Sequence, residues 1–178
     1  MANLCMRAHK GMRPQDIVIL SKIICSGDTD WQNKDLAKAL HISPSEISES
    51  LNRSMLAGMI NDQKRMVFRQ SFLEFILHGF HYVFPALPGR MANGICTAQF
   101  HPWMSKQFQA EMQYVWPYAR GKVRGLGIEP LYPAVVYAVQ NDEQLYKMLA
   151  LMDVLRVGRA RELKVAVSEL KKMIKYRT

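Results

Sequence analysis

The sequence lacks the features that mark secreted, metal-binding and membrane proteins. Its three cysteines, Cys5, Cys25 and Cys96, are far apart and form no Cys-x-x-Cys pair, which argues against a disulfide framework or a structural zinc site. The uncharged run Met91–Ser105 is interrupted by polar residues, glycine and proline, so it is not suited to span a bilayer. Residues 1–10 contain no apolar segment of signal-peptide length. We therefore expect a cytoplasmic protein that does not enter a membrane.

Recognisable catalytic motifs are also missing. The sequence contains no Gly-x-Ser-x-Gly, no His-Glu-x-x-His and no Walker lysine. Between residues 91 and 133 the acidic residues are Glu111 and Glu129 alone, which argues against a hydrolase with paired carboxylates. His78 and His81 have a spacing that suits a metal, but no segment rich in cysteine or carboxylate completes a site. The sequence thus predicts neither an enzyme nor a metal or cofactor.

Positive charge is the first feature that points to a partner. Lysine and arginine number 24 against 15 aspartates and glutamates, which gives a net charge of +9. Residues 1–90 hold 11 basic and 8 acidic groups (net +3), and residues 91–178 hold 13 and 7 (net +6). A basic domain can bind a polyanion by releasing its counterions, although many basic proteins have no such partner. Charge therefore favours nucleic acid without identifying it.

Helix-start and helix-stop signals are dense in the first part of the chain. A first helix is predicted to begin at Pro14 and a second at Asn33, its N-cap. Ser43 and Glu46 form a predicted capping box for a third helix, which ends at Gly58. Only a few residues separate the second and third helices, a spacing typical of a helix-turn-helix.

The next segment predicts a β-hairpin and then an apolar helix. Residues 59–69 contain two short strand-like pieces around a polar turn. Ser71 and Glu74 form a second predicted capping box, which begins a helix over Phe72–Phe84. This helix is apolar on nearly every side, which predicts that it is buried in the core or in a dimer interface.

Residues 14–70 resemble the winged helix-turn-helix of bacterial transcription regulators, in particular the MarR-like ones. The resemblance lies in Asp35–Ala37, in the turn Ile42–Ser48 and in Ala57–Ile60 before the hairpin, or wing. It implies binding to double-stranded DNA and commonly a homodimer, and it does not fix the operator.

A recognition helix needs an apolar face for its own domain and a polar face for the major groove. In the 43–57 helix, Asn52 can pair with adenine and Glu49 can accept a hydrogen bond from cytosine. The basic side chains of this helix, of the second helix and of the wing can contact phosphates. The predicted DNA contacts are Lys38, Ser45, Ser48, Glu49, Asn52, Arg53, Lys64, Arg65 and Arg69. Arg53 is the only basic residue of this helix, so a winged helix that contacts protein is the alternative.

The second half of the chain is punctuated by proline and glycine and then becomes helical. Residues 116–133 predict a basic hairpin whose tip carries Arg120 and Lys122, followed by Arg124; this is either an extra phosphate contact or a solvated turn. From Asn141 onward, two antiparallel helices are predicted on either side of Gly158. The predicted fold is mainly α, with a winged helix-turn-helix domain (three helices and a small β-hairpin) at 1–84 and an α-rich module at 85–178.

The leading hypothesis is a DNA-binding transcriptional regulator that forms a homodimer. Its interface would use the Phe72–Phe84 helix, the C-terminal helix pair, or both. One alternative is a protein-binding module, such as the antitoxin or adaptor of a partner enzyme. Another is a small-molecule sensor whose pocket is lined by the Phe72–Phe84 helix and by Trp103 or Trp116.

Overall fold

The computed structural model describes residues 11–27, 31–107 and 113–175. This part of the chain is mainly helical, with one small three-stranded sheet. The helices are α1 (Pro14–Cys25), α2 (Asn33–Leu40), α3 (Pro44–Leu56), α4 (Arg69–His78), α5 (Phe80–Val83), α6 (Pro102–Ser105), α7 (Val135–Ala138), α8 (Glu143–Val157) and α9 (Ala160–Lys175). The strands are β1 (Met91–Cys96), β2 (Tyr114–Pro117) and β3 (Val123–Gly127).

The turn between α2 and α3 is as short as the sequence predicts. His41 ends α2 in the left-handed conformation, with φ of 54°, and so turns the chain sharply toward α3. The Ser43 hydroxyl then accepts a hydrogen bond from the Glu46 backbone N–H at 3.2 Å, which makes Ser43 the N-cap of α3 as predicted. Asn33 is not the N-cap of α2 but its first helical residue, because Gln32 occupies the cap position.

After α3 the chain forms a minimal hairpin at residues 59–68, which we call the wing. A single antiparallel bridge joins Ile60 to Val67. The Asn61 side-chain oxygen accepts hydrogen bonds from the backbone N–H groups of Arg65 and Met66, at 2.8 and 3.0 Å, and so holds the turn. Arg69, predicted to lie in the wing, is instead the first residue of α4.

The helix after the wing is neither continuous nor buried on all sides, so both predictions are wrong. It begins three residues before Phe72, and it is interrupted at Gly79, which separates α4 from α5. Its inner face consists of the buried Phe72, Leu73, Ile76 and Phe80. Its other side faces solvent, where Tyr82 is 80% exposed. Packing against a single neighbouring surface explains the one-sided burial, which an all-apolar sequence does not reveal.

The proline- and glycine-rich segment forms the sheet. Strand β1 pairs antiparallel with both β2 and β3, and β2 pairs parallel with β3, which closes a three-stranded barrel. The predicted hairpin of residues 116–133 is therefore wrong. Glycines allow such close packing: a Cβ on Gly94 would lie 2.1 Å from the Trp116 carbonyl oxygen, and one on Gly121 would lie 2.4 Å from the Gly94 backbone.

The two C-terminal helices form the predicted antiparallel pair around Gly158. The N-cap of α8 is Asp142 rather than Asn141, since the Asp142 carboxylate accepts a hydrogen bond from the Leu145 N–H at 2.9 Å. An ion pair of 2.7 Å joins Lys147, near the start of α8, to Glu169 in the second half of α9. This ion pair joins the N-terminal end of α8 to the C-terminal half of α9, as an antiparallel arrangement requires.

One hydrophobic core runs through both predicted domains. Helix α1 packs on α8, and α4 packs on α9. Fully buried side chains of one cluster come from both sides of residue 84, including Ile19, Phe72, Met152 and Leu170. The core therefore has no break at the predicted boundary. Among the described helices, none combines the length and apolar character needed to cross a bilayer.

Candidate nucleic-acid interface

One face of α3 presents polar side chains to solvent. Ser45, Ser48, Glu49 and Asn52 are all exposed, and their spacing of three and four residues places them in one stripe. We call these four residues the recognition face. On the opposite side, Ile47 and Leu51 are buried in the core. The structure thus brings the four predicted base contacts together on a single surface.

Helix α3 is held in place by a buried ion pair with the first turn of α1. The Arg53 guanidinium donates two hydrogen bonds to the carboxylate of Asp16, from Nε at 2.9 Å and from Nη2 at 2.7 Å. Nη2 also lies 2.7 Å from Glu46. Asp16 is fully buried and accepts a further bond from the Arg13 N–H at 2.7 Å. Hydrogen bonding to Asp16, more than to Glu46, raises the pKa of Arg53 above its usual value.

The prediction that Arg53 contacts phosphate does not agree with this geometry. The guanidinium is buried, and a phosphate would have to displace the carboxylates of Asp16 and Glu46. The Glu46 side chain, predicted to complete the capping box with Ser43, instead binds Arg53, so only the Ser43 half of that prediction is confirmed. The sequence does not reveal the pairing because Asp16 and Arg53 are 37 residues apart along the chain.

The wing carries two cations at its turn. The Arg65 guanidinium donates a hydrogen bond to the Trp31 carbonyl oxygen and lies 5.0 Å from the centre of the Trp31 ring. Lys64 is half-buried, with a left-handed backbone of φ 57°. The sequence analysis does not predict a role for Trp31, which lies just before α2 and holds the Arg65 guanidinium in place.

The remaining predicted cations separate into two groups. Arg69 donates a hydrogen bond of 3.0 Å to the Ile174 carbonyl oxygen, which ties α4 to α9 and removes Arg69 from the wing. Lys38 is exposed on α2, and Lys34, one helical turn earlier, is exposed as well. Residues four positions apart lie on the same face of a helix, so the sequence could have predicted that Lys34 accompanies Lys38 in the interface. The surface cations beside α3 are therefore those of α2 and of the wing turn, together with Arg13, whose guanidinium lies 3.8 Å from Glu46.

The barrel is attached to α8 through a buried polar cluster. The Asp153 carboxylate accepts hydrogen bonds from Thr97 at 2.7 Å, from the Trp116 indole at 2.6 Å and from Arg156 at 2.8 Å. Burial raises the pKa of Asp153, and these three donors partly offset that rise. The contact between Asp153 and Arg156 is an ion pair within α8. Trp116 is buried and hydrogen-bonded, whereas Trp103, the other tryptophan named in the sensor hypothesis, lines a separate pocket beside α9.

A cavity of about 310 Å³ lies between α1, α4, α8 and α9. Neither Trp103 nor Trp116 contributes to its wall, which includes Ile24, Cys25 and Met148. Burial raises the pKa of Cys25 to about 12, so its thiol stays protonated at neutral pH. The cavity thus differs in place and lining from the pocket that the sequence predicts.

Comparisons with protein-family models, with curated proteins and with solved structures give no significant match. Function is therefore inferred from the geometry and chemistry of the interface.

Proposed function

We propose that the chain binds double-stranded DNA as a transcriptional regulator, with the recognition face of α3 in the major groove. In this proposal, the wing and α2 contact the flanking phosphates through Lys38, Lys64 and Arg65. The observation that supports it is the exposed polar stripe on a helix whose other side is held in the core.

The chemistry of the recognition face suits base edges. The Asn52 amide can form two hydrogen bonds with adenine, and Glu49 can accept one from the amino group of cytosine. The hydroxyls of Ser45 and Ser48 can donate to or accept from several bases. The Arg53–Asp16 pair already holds the backbone of α3 in place. Binding to DNA therefore does not have to order the helix itself, which lowers the entropic cost of binding.

The distribution of charge supports the same orientation. The recognition face carries Glu49 and no exposed cation, and Nη1 of the buried Arg53 lies 3.8 Å from the Glu49 carboxylate and partly offsets its charge, so the face itself does not attract phosphates. Lys38 and the wing cations lie on the elements that precede and follow α3, where phosphates flank an inserted helix. This arrangement matches base contact by α3 and backbone contact by its neighbours.

A gel shift with the duplex immediately upstream of the chain's own gene tests the proposal. The double variant Ser48→Ala/Asn52→Ala should lose sequence preference while it keeps nonspecific affinity, at a cost of about 1–3 kcal/mol for each base that is no longer read. The control, Asn141→Ala/Ser168→Ala, changes the same residue types at exposed positions away from α3. If both variants bind alike, α3 does not read DNA.

A second candidate function, a protein-binding module, is favoured by an exposed apolar strip after α4. Tyr82 is 80% and Leu87 85% exposed, and Val83 and Met91 also face solvent. A protein that binds the purified chain but not the Leu87→Asp variant would support this function. Retention of the protein by the variant would exclude the strip as its binding site.

A further inference from the structure

The helix-turn-helix part offers few cations to a DNA backbone. Arg53 is ion-paired with three carboxylates, and Arg69 is bonded to the Ile174 carbonyl oxygen. Proteins that bind duplex DNA with strong salt dependence neutralise about 6–10 phosphates. Arg13, Lys34, Lys38 and the two wing cations fall short of that number, so the proposed function calls for further positive charge close to α3.

The barrel brings such charge to the turn between α2 and α3. The Tyr132 hydroxyl donates a hydrogen bond of 3.2 Å to the carbonyl oxygen of His41, the residue that makes this turn. The Tyr137 ring lies 5.8 Å from the His41 ring and 5.5 Å from the Tyr118 ring, measured between centroids. Tyr118 directly follows β2 and begins the next loop, so two successive ring contacts link the start of this loop to His41.

That loop is basic. We call residues 118–124 the basic loop; its cations Arg120, Lys122 and Arg124 are all exposed. No carboxylate of the described residues forms a salt bridge with any of the three. In the stretch from residue 113 to residue 141 the only acidic residue is Glu129. The loop therefore presents a concentrated positive charge.

The backbone of the basic loop is fixed against the barrel. The Tyr118 N–H donates to the Asn93 carbonyl oxygen at 2.9 Å, and Arg124 lies opposite Asn93 in the pairing of β1 with β3. Gly121 packs directly on Gly94, as the space at its α-carbon shows. The alternative of a solvated turn would not require these backbone contacts with the barrel. Cations on a fixed loop lose less freedom on binding than cations on a mobile one.

We propose that the basic loop is a second DNA-backbone contact, which neutralises phosphates of the duplex whose major groove receives α3. The proposal rests on the proposed function. In helix-turn-helix proteins the helix before the recognition helix crosses the DNA backbone, so an element beside the α2–α3 turn would face phosphates next to that crossing. A single copy of the chain would then contact a longer stretch of duplex than α3 and the wing alone contact. The extra contact would lie at one end of that stretch.

The salt dependence of DNA binding tests this proposal. The variant Arg120→Ala/Lys122→Ala/Arg124→Ala should bind every duplex more weakly, and the slope of log K against log salt should fall by about 0.9 for each phosphate that is no longer neutralised. The control, Lys164→Ala/Lys171→Ala/Lys175→Ala, removes the same charge from exposed positions of α9 and should keep the slope. A hydroxyl-radical footprint of the loop variant should be shorter at one end only.

Several outcomes separate this inference from the proposed function. An unchanged slope in the loop variant, with preference still dependent on Ser48 and Asn52, overturns the inference alone. A lower slope without any effect of Ser48 and Asn52 supports the loop and overturns the role of α3. Wild-type protein that binds no duplex overturns both. Circular dichroism checks folding, and glutamine at the three positions replaces alanine if the alanine variant unfolds.

Discussion

At the scale of single residues, the role of a charge depends on what surrounds it. Arg53 and Lys38 are both basic residues of the helix-turn-helix, and both are predicted to contact phosphate. One is buried against Asp16 and Glu46, and the other is exposed. The buried Arg53 therefore stabilises the fold, whereas the exposed Lys38 is accessible to a binding partner.

Arg53→Ala should destabilise the protein by about 3–5 kcal/mol, because it leaves Asp16 buried without its partner. Urea unfolding measures this change. Lys38→Ala, a matched exposed control, should stay within about 0.5 kcal/mol of wild type. An Arg53→Ala protein that is fully stable yet has a smaller salt slope would restore Arg53 as a phosphate contact.

His101 should make stability depend on pH. Burial, and secondarily Lys147, lowers its pKa to about 4, while an unfolded histidine has a pKa of about 6.5. Between these values the unfolded state binds more protons, so stability falls as the pH is lowered, by at most about 1.4 kcal/mol per pH unit. Unfolding measured from pH 7 to pH 4 should show a smaller loss for His101→Gln than for wild type. Equal losses would contradict the assignment.

At the scale of elements, local signals predict where several helices begin and end, and long-range contacts decide the rest. Ser43 and Gly158 mark helix boundaries because a cap and a helix-breaking glycine act within a few residues. The barrel escapes prediction because its strands are short and glycine-rich, and their pairing depends on close backbone packing at Gly94 and Gly121.

The wing should contribute to DNA binding through its turn alone. Lys64→Ala/Arg65→Ala should weaken binding to all duplexes and lower the salt slope by about 0.9 for each phosphate that the wing no longer neutralises. Arg69→Ala, the matched control, should keep the slope and reduce stability instead, because its guanidinium bonds to the Ile174 carbonyl oxygen. A lower slope for Arg69→Ala would place this residue at the DNA.

At the scale of the whole molecule, the inner faces of the helices predicted to form a dimer are used within the chain. The apolar stripe of α9, formed by Ala166, Leu170 and Ile174, is fully buried, and α9 packs against α4. These faces therefore do not need a second copy to cover them. The basic loop also offers a way to enlarge the DNA contact of one copy without two-fold symmetry.

Light scattering at micromolar concentration should give the mass of a monomer, 20.5 kDa. The reason is that the inner faces of α4 and α9 are already buried within the chain, although large apolar side chains stay exposed around Leu87, at the wing (Met66 and Phe68) and at Leu56 and Tyr137. A folded species of twice that mass would contradict this expectation. Leu87→Asp would then show whether the strip is the interface, since it should return a dimer to the monomer.

Local signals in the amino-acid sequence are enough to establish the first three helices, the short turn before α3, the polar stripe of α3 and the helical pair around Gly158. These features follow from capping residues, periodicity and glycine, whose effects reach only a few positions along the chain. Three features emerge only from the folded chain: Arg53 pairs with Asp16, Arg69 belongs to α4, and ring contacts link the first residue of the basic loop to the turn between α2 and α3. Each of these depends on contacts between residues far apart in the chain, where burial decides which charges must be paired.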